Sequence, residues 1–179
     1  MKELIQTIER DFPITKTDHN RENQVFVTIS KEMAPQLVTW LKDYQNYSHL
    51  AFMTAVDYIE RNVFQITYML HNHDSQTDVG VRVEIDRENP VMTSMHHLWK
   101  HVFMYQREMH EMFGIDFPGS PRLDESFILE GWHAMPPMRR DFDTKKYSEE
   151  TYFPRPGRTT NDPKTYMKEK LYPNDRGGR

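Results

Sequence analysis

Residues 63–85, VFQITYMLHNHDSQTDVGVRVEI, decide the fold. Phe64, Ile66, Tyr68 and Leu70 alternate with Val63, Gln65, Thr67 and Met69, and Val79, Val81, Val83 and Ile85 alternate with Arg82 and Glu84. Side chains of a strand point to opposite faces in turn, so this period predicts two strands with a buried face each. The polar link at residues 72–77 is short enough for an antiparallel hairpin. Upstream, residues 50–59 read as a further strand with Leu50, Phe52, Val56 and Tyr58 on one face, joined by Glu60-Arg61-Asn62. Residues 24–30 read as another, turning Val25, Val27 and Ile29 inward.

Helical spacing surrounds these runs. Leu4, Ile5, Ile8 and Phe12 lie on one helix face, and Pro13 ends that helix. Ser30 is placed to cap a helix over 31–44, with Leu37, Val38, Trp40 and Leu41 apolar and Pro35 near its first turn. Ser94 is placed to cap a long helix to about Phe113, striped by Met95, Leu98, Trp99, Val102, Tyr105, Met109 and Met112. Gly114 then suits the left-handed residue that closes a helix. The order predicts an α+β fold: a mostly antiparallel sheet with helices packed on one face.

From Pro118 the pattern dissolves. Eight of the 11 prolines fall in the last 62 residues, and Pro is excluded from helix interiors and central strands. The expectation is an α+β body over 1–117 and an extended, Pro-rich C-terminal arm over 118–179, ordered against another chain or not at all. One short helix is expected at 162–171. After residue 142 there are nine Lys/Arg against six Asp/Glu, leaving 14 against 21 before it. A basic arm on an acidic body favours a protein surface as partner, and no charge block points to nucleic acid.

The chain of 179 residues has no cysteine, which removes disulfides, thiolate nucleophiles and all-thiolate metal or cluster sites. Its first residues, MKELIQTIERDF, lack the apolar core of a signal peptide, and no run reaches the ~20 apolar residues of a membrane span. A cytoplasmic address is expected.

Few constellations carry chemistry. His71 and His73 would share a strand face and His97 and His101 a helix face, a set able to hold zinc in a free-standing enzyme. No carboxylate sits at ligand spacing, and His110-Glu111 lacks the second His of a protease signature. Arg107, Glu108 and Glu111 lie on the polar side of the last helix, either as a solvent face with an Arg107–Glu111 pair or as an interface that binds a partner carboxylate. Pro136-Pro137 followed by Arg139-Arg140-Asp141-Phe142 has the cations and aromatic anchor of a binding hot spot. Arg139 and Arg140 are therefore expected to anchor assembly without supporting the body's fold. A regulatory module whose arm folds on a transient partner is a third reading.

The run Arg107-Glu108-x-x-Glu111-Met112-Phe113-Gly114-Ile115-x-Phe117-x-Gly119-x-Pro121-x-Leu123 resembles the signature of the NuoC-type subunit family. That family supplies small peripheral-arm subunits to complex I and to membrane-bound, energy-converting hydrogenases. Thr54-Ala55-Val56-Asp57-Tyr58, Tyr68-Met69-Leu70, Trp132 and Pro137-Met138-Arg139-Arg140-Asp141-Phe142 extend the likeness over about residues 50–142. Gln106 stands where the family has Glu, and Asp124-Glu125 where it has a basic pair. The resemblance implies a non-catalytic structural subunit with no cofactor of its own. Its partners would be the large catalytic subunit, bearing a quinone pocket or a nickel–iron centre, and the iron–sulfur electron-transfer subunits. It would lie on the cytoplasmic side, reaching the membrane only through them. The implied partner interface is Arg107, Glu108, Glu111, Phe113, Gly114, Phe117, Trp132, Arg139, Arg140, Asp141 and Phe142.

Overall fold

The computed structural model describes residues 1–152 together with 164 and 165, in two compact units, Met1–Arg140 and Asp141–Arg179. In the first, α1 (Lys2–Asp11), β1 (Lys16–Arg21), β2 (Gln24–Ile29), α2 (Ala34–Tyr44), β3 (His49–Tyr58), β4 (Val63–Asn72), β5 (Thr77–Asp86) and α3 (Val102–Phe113) follow in order. The strands form one sheet ordered β1-β2-β5-β4-β3. Three of its pairings are antiparallel; β2 and β5 run parallel, with Val25, Val27 and Ile29 opposite Val79, Val81 and Val83. The α+β class holds.

The hairpin at the centre behaves as its alternation requires. Phe64, Ile66, Tyr68 and Leu70 of β4 and Val79, Val81, Val83 and Ile85 of β5 are buried in one core with Ile5 and Ile8 of α1 and Leu37, Val38 and Leu41 of α2. Each such aliphatic or aromatic side chain contributes about 1.5–3 kcal/mol by leaving water. The turn closes through Asn72, whose Oδ1 accepts the N–H groups of Asp74 and Ser75. The opposite face is polar: Asp18 accepts from both Lys16 and Arg82, and Arg61 donates to Glu84.

Several expectations need correction. A bulge between Leu50 and Phe52 reverses the phase of β3, so Met53, Ala55 and Asp57 turn inward while Phe52 and Val56 are exposed. β1, KTDHNR, has no apolar period and was invisible to pattern; it is a charged edge strand paired with β2. α2 begins at Ala34 after a turn in which the Ser30 carbonyl, not its hydroxyl, takes the N–H groups of Met33 and Ala34. α3 begins at Val102, because residues 95–101 form successive turns with bonds from Leu98 to Met95 and from Val102 to Trp99. There the Trp99 indole donates to the Ser48 carbonyl at 2.7 Å, which ties this segment to the start of β3. Ser94 accepts the His96 N–H and donates to the buried Gln106 instead of opening a long helix.

The compact unit also runs past residue 117, to Arg140. In the second unit, α4 (Thr144–Tyr152) is helical where an extended arm was expected. Asp143 begins it, its carboxylate accepting the Lys146 N–H at 2.9 Å and its carbonyl that of Tyr147. Apart from Lys164 and Thr165, the helix expected at 162–171 lies outside the described residues.

Candidate docking surface

Val102, Gln106, Met109, Met112 and Phe113 face the core from α3, which turns Arg107, Glu108 and Glu111 away from it. Gly114 closes the helix at φ 76°, donating to the His110 carbonyl at 2.9 Å. The positive φ favours glycine, and a Cβ there would also come within 3.2 Å of Pro136 Cγ, a tight approach. Ile115 and Phe117 then plunge into the core, and Asp116 pairs with the segment at 90–92 by two backbone bonds.

Beyond this point the chain is bound back onto the helix. The Glu111 carboxylate accepts three successive amides, Phe127 at 2.6 Å, Ile128 at 2.9 Å and Leu129 at 3.0 Å. One turn earlier, the Arg107 guanidinium donates to the carbonyls of Glu125 and Ser126 at 3.1 and 2.6 Å. The polarity is matched: the cation takes the carbonyls of residues 125 and 126 and the anion takes the amides of 127–129 that follow. Charge-assisted bonds of this type are stronger than neutral ones.

A second clamp lies at the end of the sheet. Asp57 is buried and accepts a two-pronged contact from Arg87, at 2.8 and 3.1 Å, together with the Arg140 amide at 2.8 Å. Arg139 donates to the carbonyls of Arg87 and Phe113, and its guanidinium lies 5.2 Å from the Phe64 ring centroid. Met138 adds a backbone bond to Met112. The Arg140 side chain reaches Glu60 at 2.6 Å in a half-exposed pair. A backbone N–H first, and this guanidinium second, hold the Glu60 carboxyl below its ordinary range.

A family model described as "Respiratory-chain NADH dehydrogenase, 30 Kd subunit" matches residues 27–148. The chain belongs to this family. It is 29% identical to the C subunit of the NADH-quinone oxidoreductase of Moorella thermoacetica, over 79% of this chain and 95% of that one. It is 22% identical to the C subunit of the F(420)H(2) dehydrogenase of Methanosarcina mazei, over 78% and 90%. Its fold is also that of a chain in the membrane-bound sulfane sulfur reductase, an archaeal respiratory membrane complex, at TM-score 0.74, 22% identity and coverage of 84% and 90%.

The 30 kDa family match spans both clamps and extends the resemblance read over residues 50–142. Within it the implied interface residues separate. Arg107, Glu111 and Gly114 adjoin the 118–140 segment, Arg139 ties the end of that segment to Arg87 and Phe113, and Glu108 is exposed on α3. Phe113 and Phe117 are core side chains, Phe113 packing edge-on to Phe64 at 5.9 Å, so they support the surface from beneath. Trp132 is half-buried and donates to the Ala134 and Met135 carbonyls. Asp141 and Phe142 fall in the second unit, Phe142 against Tyr147.

Three corrections follow. Arg107 and Glu111 do not pair with each other; both are engaged by the chain's own backbone instead of being held out to a partner carboxylate. Arg139 serves the body's own fold. The histidine set gathers no metal site: His71 bonds Asp78 at 2.8 Å and packs on His73, but among the described residues no group of three His, Asp or Glu could hold a metal. The Asp57–Arg87 pair has only a weak mark in the sequence, an acidic residue inside a strand and an Arg just after β5. Among the described residues no helix is long and apolar enough to cross a membrane.

Proposed function

We propose that this chain is a non-catalytic, peripheral-arm subunit of a complex I-like redox assembly. In this reading it docks the large catalytic subunit beside the iron–sulfur electron-transfer subunits, on the cytoplasmic side of the membrane. The clusters, and the quinone or nickel–iron site, belong to those partners, and membrane association comes through them. The family match over 27–148 supports this, as do relatives named as C subunits of NADH-quinone and F(420)H(2) dehydrogenases.

One observation carries the mechanical half of the reading. Arg107 and Glu111, two charged residues of the family signature, are occupied by backbone groups of a loop. A base or acid at work needs an open position within reach of a substrate proton, and the Glu111 oxygens are taken up by amides. The work of this pair is to fix the shape of a surface. A surface held rigid before association loses less freedom on docking, which favours a subunit that sets the spacing of redox neighbours.

Purification of the tagged full chain from its native membranes tests this. Iron–sulfur subunits should co-elute in fixed ratio, and deleting the chain should release or disorder them. Recovery as a lone stable monomer, with the redox assembly intact and active in the deletion strain, would rule the reading out.

A further inference from the structure

The loop held by Arg107 and Glu111 carries an apolar residue at its middle, facing outward. Ile128 has its amide fixed on Glu111 Oε1 and is itself 67% exposed. An isolated exposed aliphatic residue is ordinary on a surface. This one differs because its neighbours on both sides, Phe127 and Leu129, turn inward to half-burial while three charge-assisted bonds lock the backbone beneath it. The side chain is displayed from a rigid base.

Its own segment carries charge of one sign. Between Leu123 and Gly131 the chain reads DESFILE, with Asp124, Glu125 and Glu130 and no cation. The Asp124 side chain is fully exposed and Glu130 is exposed as well. Glu125 is engaged by Arg122, His110 Nε2 lies 4.0 Å from the Asp124 carboxylate, and Arg107 is directed into the loop's own carbonyls.

We infer that the 124–130 loop is a docking knob: Ile128 enters an apolar pocket rimmed by Lys or Arg on another subunit of the same complex. The inference rests on the proposed function and names the surface through which it acts. Apolar anchors at the centre of an interface with complementary charge around them carry most of an interface's affinity and set its orientation. Glu111 is here a positioning residue, since it acts through the backbone that presents Ile128.

The test is co-purification of the tagged full chain with its complex, across a salt series, for wild type, Ile128→Glu, Glu111→Gln and the double variant Asp124→Lys/Glu130→Lys. Thermal unfolding of each isolated chain and hydrogen exchange at amides 127–129 are read in parallel. Ile128→Glu should lower recovery of partner subunits by about tenfold or more with an unchanged melting temperature. The double charge reversal should lower recovery most at low salt, where unscreened repulsion is largest. Glu111→Gln should speed exchange at 127–129 and weaken recovery while β4 and β5 keep their protection. Wild-type recovery of the complex by Ile128→Glu would overturn the knob. So would a sedimentation shift showing that Ile128 holds two copies of this chain together. If the wild-type chain itself brings down no redox subunit, the function fails first; if wild type binds and Ile128→Glu binds equally, only the knob fails.

Discussion

Two carboxylates hold the 118–140 segment to the body, and they do it in different solvents. Asp57 sits in the interior at the end of β3, meeting a guanidinium that is itself almost wholly buried. Glu111 sits on the outer side of α3, half-buried, meeting three main-chain amides. Burial makes the first clamp expensive to break, because bonds lost there are not replaced by water. Partial exposure makes the second cheap in stability but decisive for loop shape, since water can replace the lost bonds without restoring the geometry. The inner clamp supports the fold and the outer one shapes the surface.

That contrast can be broken by substitution. Asp57→Ala removes the two-pronged contact to Arg87 and the acceptor of the Arg140 amide, three charge-assisted bonds in a buried place; it should destabilise the chain by about 3 kcal/mol in urea unfolding. A loss below about 1 kcal/mol would show the inner clamp to be no more than a surface pair. Glu111→Ala should cost about 1–2 kcal/mol globally, with the change in hydrogen exchange confined to the loop. Gly114→Ala sits between the two clamps and meets both the positive φ and Pro136, so about 1 kcal/mol or more is expected in thermal unfolding. Arg140→Ala removes only the half-exposed contact to Glu60 and keeps the main-chain bond to Asp57; its effect should stay within about 1 kcal/mol.

Acid supplies the mildest test. The Glu125 carboxyl is held below its ordinary range, first by the hydrogen bond from Arg122, and Glu60 is lowered too. A carboxyl whose pKa is lower folded than unfolded adds stability above its unfolded value, and that stability is lost as pH falls through the folded one. A shallow loss below the ordinary glutamate range is therefore expected, flattened by Arg122→Ala. A variant that keeps the full slope would remove this pair from the account.

How far the sequence carried this picture depended on whether a feature is local. The β4–β5 hairpin was legible because alternation over ten residues per strand is a local record of a buried face. β3 misled because one extra residue near Ala51 inverts everything after it, and nothing in LAFMTAVDY marks the slip. β1 left no trace, since an edge strand exposed on its outer side needs no apolar period. The family signature was visible as a string, yet its use was not: Arg107 and Glu111 find partners 18 and 16 residues downstream, and Asp57 finds Arg140 across 83. Proline content suggests an extended arm over 118–179 because proline disfavours regular structure; it does not forbid a stretch such as 125–140 being pinned by side chains from elsewhere.

In the proposed function, Arg107 and Glu111 hold the 125–129 backbone in one shape before any partner binds. Hydrogen exchange of the free full-length chain measures this directly at amides 127, 128 and 129. Strong protection in wild type, lost in Glu111→Gln while β4 and β5 stay protected, is the expected result. Exchange of those three amides at the rate of an unstructured chain in wild type would contradict it.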